Sequence, residues 1–311
     1  MIHQPVMVHE VIHFLRCAEG GIFVDGTLGT GGHTLAIFKH SPATTQVIGI
    51  DRDPEALNTA RHRLKPFSER LRLVKGKFGE IRDILSGLGV RAVDGFLLDL
   101  GFSSLQIEGP GRGFSFQREE ALDMRMDQNQ GEKAGEWLGR VEEKELAAVL
   151  KEFGEERQAR QLARRIKASQ AKKPFQTTLE LANMIASVVP RAGRIHPATR
   201  TFQALRIVIN DELEQLKQFL DQFLDLLSEG GRVCLISYHS LEDRLIKQSF
   251  LRLERGVADP LGLKNPWKPE GQPGFKRCIT KAVQPTKEEV LQNPRARGAK
   301  LRVGIRMEGL I

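Results

Sequence analysis

Four short apolar runs recur at a nearly fixed interval in the first hundred residues. They are Ile22–Asp25, Val47–Asp51, Leu71–Lys75 and Phe96–Leu100, each roughly 22 to 26 residues after the last. Polar stretches of helical length separate them. Parallel strands need a long crossover to return to the same edge of a sheet, and this interval supplies one. The chain is therefore predicted to build a parallel α/β sheet covered by helices. Aspartate closes every run except the third, at Asp25, Asp51 and Asp99. In such sheets ligands bind at the carboxyl ends of the strands.

After Leu100 the pattern changes. No convincing strand is read from about Ser104 to Thr199. Val141–Phe153 reads as a helix closed by Gly154, and Glu155–Ala168 as another, with Ala159, Leu162, Ala163 and Ile166 on one face. Thr177 or Thr178 caps a third, which Pro190 ends. The expected division is a discontinuous α/β domain, 1–103 and 200–311, interrupted by a helical insertion at 104–199 suited to substrate recognition. The α/β pattern then resumes. A helical stripe runs from Ile209 to Leu227 and is expected to stop at Gly230–Gly231. Arg232–Ser237 reads as a strand, Leu241–Leu253 as a helix and Gly256–Gly274 as a loop. Cys278–Val283 and Leu301–Met307 read as two last strands, spaced tightly enough to make an antiparallel edge on the sheet.

Composition limits the function classes. The 311 residues carry a net charge of +8, which favours a polyanionic partner. No apolar run approaches the roughly 20 residues of a membrane helix, and no secretory signal pattern is read near Met1. Cys17, Cys234 and Cys278 are odd in number, far apart in sequence and without metal-ligand spacing. Neither a disulfide framework nor a zinc site is expected, and a reducing compartment, the cytoplasm, is. No other metal-ligand cluster stands out.

The first run leads into Val24–His33, VDGTLGTGGH. Such a glycine-dense turn lets backbone approach a ligand closely. Asp51 ends the next strand, where a carboxylate can accept hydrogen bonds from both hydroxyls of a ribose. Together they predict a nucleoside-cofactor site. The glycine spacing is not GxGxxG, which disfavours a dinucleotide, and no GK[ST] follows to cradle phosphate. Asp25 inside the turn would repel a pyrophosphate but suits the cationic methionine end of S-adenosylmethionine. At the end of the fourth run, Asp99 has two readings: a group on the substrate side of the cofactor, or a cap at a strand–helix turn.

At these residues the sequence resembles the bacterial methyltransferases that act on N4 of a cytidine in 16S ribosomal RNA. The likeness spans nearly the whole chain. It includes His3–Val6, DGTLGTGGH, IDRDP (Ile50–Pro54), LLDLGFSS (Leu97–Ser104), RGFSF (Arg112–Phe116), LDMRMD (Leu122–Asp127) and FGEER (Phe153–Arg157). It continues through HPATRTFQALRI (His196–Ile207), ISYHSLEDR (Ile236–Arg244) and NPRARGAKLR (Asn293–Arg302). The chain departs from the family pattern at Phe102, Leu105 and Ile107–Glu108. The resemblance implies a class I, Rossmann-like methyltransferase sheet with a helical domain inserted after the fourth strand. It implies S-adenosylmethionine as cofactor and the 16S RNA of the small ribosomal subunit as partner. It also implies cofactor contacts at Gly31, Gly32, His33, Asp51, Phe78, Asp99 and Gln106.

An exocyclic cytosine amine is a weak nucleophile because its lone pair is delocalised into the ring. Catalysis then requires alignment with the methyl group and an acceptor that localises the lone pair, a role expected of Asp99. The base must leave its stack. Candidate substrate groups are Phe102, Ser103, Phe114, Phe116, Tyr238 and His239, with core packing the competing reading for each phenylalanine. His239 is equally readable as a structural hydrogen-bonding group. Seven Lys or Arg lie between Arg157 and Lys173 with no acid among them, and Arg157, Arg160, Arg164 and Lys167 are expected on one helical face. That face is either simply solvated or binds phosphate. Rival functions are amino-methylation of another nucleic acid or of protein, and cofactor binding without catalysis in ribosome assembly.

Overall fold

The computed structural model describes residues 5–103, 106–107, 109, 111–191, 196–256 and 274–308. His3, Ser104, Leu105, Glu108 and nearly all of the expected Gly256–Gly274 loop lie outside the described residues.

The chain divides into two compact units: residues 1–101 with 214–311, and Phe102–Leu213. In the first unit the strands are β1 (Ile22–Asp25), β2 (Gln46–Asp51), β3 (Leu71–Lys75), β4 (Val93–Asp99), β5 (Leu227–Ser237), β6 (Phe275–Arg277) and β7 (Lys300–Arg306). They form one sheet in the order β3-β2-β1-β4-β5-β7-β6. Pairs up to β5 are parallel, and β7 runs antiparallel between β5 and β6. This is the expected parallel sheet with an antiparallel edge. The order reverses at β1, so β1 and β4 flank the crevice where such sheets take ligands.

The apolar runs exist because both faces of the sheet are covered. Alternate side chains point to opposite faces. On β4 and β5, Phe96, Leu98, Val233 and Leu235 join one core, while Leu97, Cys234 and Ile236 join the other. The first core is closed by α4 (Ile81–Gly87), α10 (Glu212–Leu226) and α11 (Ser240–Glu254), the second by α1 (Val8–Phe14), α2 (Gly32–Lys39) and α3 (Pro54–Arg63). The three cysteines, distant in sequence, gather in the second core as free thiols.

The second unit is helical: α5 (Ala134–Arg140), α6 (Glu143–Glu152), α7 (Ala159–Lys172), α8 (Thr178–Val188) and α9 (Ala198–Ile209) surround a core of their own. It runs past the expected end at 199, because α9 contributes Ala198, Phe202, Ala204 and Leu205 to that core. Thr177 caps α8 in a capping box with Glu180.

Several boundaries differ from the sequence reading. The helical stripe starting at Ile209 is two helices, broken at Asp211, which takes φ 52°. The second of these helices ends at Leu226, before the glycines. Gly230 and Gly231 instead lie where the β4–β5 register jumps from Val93↔Leu227 to Gly95↔Arg232. The helix read from Glu155 begins at Ala159, after buried Glu156 accepts from the Gln158 N–H at 3.0 Å. The expected strand Cys278–Val283 is absent: β6 precedes it, and Val283 keeps a single bridge to Leu301.

Phe219 of α10 is 1% exposed and packs its ring edge-on to Phe96 of β4. Phe219→Ala is expected to cost about 3–5 kcal/mol by opening a cavity under β4, measured by urea unfolding.

Candidate active site

Three strand ends converge through a turn that hydrogen-bonds to each of them. From the Gly26–Gly31 turn, the Gly26 N–H donates to Leu97 O of β4 at 2.9 Å, and the Leu28 N–H to Ile50 O of β2 at 2.9 Å. The Asp99 N–H donates to Thr27 Oγ1 at 2.6 Å. The Gly29 N–H donates to Asp51 Oδ2 at 2.8 Å, while the other Asp51 oxygen accepts from the Asp53 N–H at 2.9 Å. Gly31, at φ 77°, turns the chain into α2 through a left-handed conformation that suits glycine. At Gly26 a Cβ would lie 2.4 Å from Leu98 Cδ2 and 3.2 Å from Phe78 Cβ. Phe78 thus borders the turn, with Phe219 edge-on behind it.

The three aspartates have different tasks. Asp25 is 1% exposed; its oxygens accept from the Thr27 N–H at 3.3 Å and from Thr34 Oγ1 at 2.7 Å. It shapes the turn from inside. Burial raises its pKa, and nearby His33 and the Thr34 hydrogen bond oppose that rise. Burial also pushes Asp51 up to about 6 against its two backbone donors. Asp99 accepts from the Tyr238 hydroxyl at Oδ1 (2.7 Å) and has His33 Nε2 3.4 Å from Oδ2. His33 is 5% exposed, and neither of its ring nitrogens makes a hydrogen bond. A buried polar ring without a hydrogen bond can take one from a polar ligand.

The Tyr238 hydroxyl is therefore a brace for Asp99. Burial and the adjacent Asp99 carboxylate hold its phenol well above the usual pKa, so it stays a donor. His239 takes up the structural role among its two readings. It is the N-cap of α11, in a reciprocal box in which Glu242 Oε2 accepts from the Tyr238 N–H at 2.9 Å and the His239 N–H at 3.4 Å. Sequence reasoning missed Thr27, Thr34 and Glu242. The signal was present: a threonine two residues after a strand-end aspartate, and a Glu three residues after a capping position.

The remaining candidates belong to the second unit. Phe102 is 43% exposed, with the Arg206 guanidinium 4.7 Å from its ring centre and Phe114 at 6.3 Å. Phe116 is packing instead, against His196 and Phe202. Gln106 is buried, and its Oε1 accepts from the Ser103 N–H at 2.9 Å. Arg157 precedes α7 rather than sharing its face, and Lys167 is engaged by the Leu138 and Gly139 carbonyls at the end of α5. Arg160 and Arg164 are exposed on α7.

The profile of the MraW methylase family matches residues 1–307. A "Ribosomal RNA small subunit methyltransferase H" from Pelobacter propionicus is 46% identical over 96% of this chain and 97% of its own. One of the same name from Halothermothrix orenii is 45% identical over 98% of each. Among solved structures, a putative rRNA-methylase from Clostridium thermocellum aligns over all of both chains at 10% identity and TM-score 0.47. At that score the fold rests on the strand order instead.

Asp51 makes folding pH-dependent with a sign unusual for a carboxylate. Its folded pKa, about 6, lies above the ordinary 3.8, so between these values the folded chain holds a proton that the unfolded chain releases. Stability from this group is present below about pH 4 and is lost as pH rises to about 6, by up to about 3 kcal/mol. Urea unfolding at stepped pH should show Asp51→Asn removing that part of the slope.

Proposed function

The chain belongs to the MraW methylase family, and from that premise we propose that it methylates the N4 amine of a decoding-centre cytidine in 16S ribosomal RNA. The observation that carries the reading is Asp99: a carboxylate at the ligand end of β4, fixed by Tyr238 and faced by an unpartnered, buried His33. S-adenosylmethionine supplies, when bound, an electrophilic methyl group on a sulfonium.

The residues of the turn fit that cofactor. Gly31, Gly32 and His33 would line it, Phe78 would border the adenine, and Asp51 would take the ribose hydroxyls. Each Asp51 oxygen accepts one backbone N–H, which leaves lone pairs for two more donors. Asp99 accepts an amine N–H of the cytosine, which draws the nitrogen lone pair out of the ring. Tyr238 keeps that acceptor aimed, so alignment costs little at the moment of reaction. The amine, once methylated, is a strong acid, and its proton leaves to water without a dedicated base.

The second unit supplies RNA-facing groups in this proposal: Arg157, Arg160 and Arg164 for phosphates, and Phe102 with Ser103 for an extruded base. The cytoplasm is the proposed compartment. The three free thiols support it, and among the described residues no helix is long and apolar enough to cross a membrane.

Labelled S-adenosylmethionine offered with 30S particles, naked RNA, DNA and protein, followed by nucleoside mapping, tests the reaction. Label in N4-methylcytidine is expected, and label in another nucleoside or in protein would overturn it. Asp99→Ala should lower kcat at least about a hundredfold. Tyr238→Phe should lower it about ten- to a hundredfold, the range for a hydrogen bond to a charged group, with cofactor binding retained by calorimetry. If Arg164 meets a phosphate, Arg164→Ala should reduce the salt slope of RNA binding by about 1.

A further inference from the structure

A second pocket opens at the other end of the same sheet. It has a volume of about 890 Å³, within the roughly 300–1,000 Å³ range of small-ligand sites. Its lining comes from the end of α1 and the turn after it, Arg232 in the middle of β5, and the β6–β7 edge. Arg232 lines it and pairs with Ile305, whereas Asp99 pairs with Ile236, four residues further along β5. At strand rise that is about 13 Å, and the two sites lie at opposite strand ends.

The lining has two chemistries. The floor is apolar: Phe14, Cys278 and Ile305 are partly exposed in it, and Cys17 is fully buried. Burial pushes the Cys17 thiol up to about 12 and raises that of Cys278, so both are uncharged at neutral pH. The rim is cationic, with Arg16, Arg232, Lys276 and Arg277. Arg232 Nη1 donates to Phe14 O at 3.0 Å, which fixes its guanidinium at the wall. Arg16 takes φ 53°, ψ 44°, a helix-ending conformation that glycine ordinarily fills. Two acids offset the rim: Glu19 lies 3.2 Å from Arg16, and Glu254 lies 2.6 Å from Arg277. Both members of the Arg16–Glu19 pair are more than half exposed, so solvent screens their attraction. Lys276 is exposed, and a surplus of positive charge remains.

An apolar floor with a cationic rim suits a flat ring that carries phosphate. We propose that this pocket is a second ligand site, taking a nucleoside phosphate with its base against Phe14, Cys278 and Ile305 and its phosphates at Arg16, Arg232 and Lys276. The phosphate comes from a free nucleotide or from the 5′ end of an RNA. The pocket is distinct from the methyl-transfer site and does not depend on the assignment of that reaction.

The test uses the full chain saturated with S-adenosylhomocysteine, so that the cofactor site is blocked. Fluorescence anisotropy of N-methylanthraniloyl-ATP then reports binding elsewhere. Saturable binding is expected. ATP should displace the probe, and adenosine should need at least about tenfold more, since each tenfold is about 1.4 kcal/mol of phosphate contact. The double variant Arg16→Gln, Lys276→Gln should weaken probe binding at least about tenfold while leaving methyl transfer intact. Competition by a short 5′-phosphorylated RNA as strong as by ATP assigns the site to an RNA end, and competition by ATP alone assigns it to free nucleotide. No binding to the blocked protein, equal displacement by adenosine, or undiminished binding by the double variant would overturn the proposal.

Discussion

The site depends on one carboxylate used twice. Asp51 accepts from Gly29 through one oxygen and from Asp53 through the other, so a side chain at the end of β2 fixes both the glycine turn after β1 and the entry to α3. Buried hydrogen bonds to a charged acceptor are strong, and losing one exposes the full desolvation cost of its partner. Fixing the turn also fixes Thr27, whose hydroxyl accepts from the Asp99 backbone. The ends of β1, β2 and β4 are thereby held by local bonds in addition to the sheet, and the carboxylates at those ends inherit their positions from backbone. Asp25 completes the arrangement from below, through Thr34 on the first turn of α2.

The fold was legible where the physics is periodic. Covered on both faces, β1, β2 and β4 had to be apolar along their length, and the crossover lengths had to repeat. Those two demands leave a pattern that needs no knowledge of contacts. The misread boundaries fall where a single residue decides. Asp211 breaks a continuous stripe by taking a left-handed conformation, and the glycine pair after α10 marks a bulge in β5 although it has the composition of a helix stop. The short β6 is defined by pairing with β7 and has little pattern of its own.

The site was half legible for a related reason. Glycines and strand-end acids announce themselves in sequence, so Gly31, Asp51 and Asp99 could be named. What each acid does depends on its partners, which come from distant segments: Tyr238 reaches Asp99 across 139 positions. Hence Tyr238 reads as an aromatic for stacking, and the donation from its hydroxyl to Asp99 leaves no trace in the sequence. Asp25 reads as a ligand group, and its burial and its bonds to Thr27 and Thr34 within the turn are visible only in three dimensions. Sequence shows the inventory of functional groups; the partition between those that bind and those that brace is a three-dimensional property.

The sheet is assembled from two stretches of chain separated by the helical unit, and this sets a schedule for synthesis. β4 pairs early with β1, but its other neighbour, β5, begins 128 positions after Asp99, at Leu227. At ribosomal rates of roughly 5–20 residues per second, that edge of β4 waits about 6 to 25 seconds for its partner. Through that interval Phe96, Leu97 and Leu98 border an open ladder, the kind of exposed strand that pairs with other chains. The intervening helices, whose contacts are local, can form a core of their own during the wait. A nascent chain of this design is thus most vulnerable to aggregation after its first third is made and before its last third emerges.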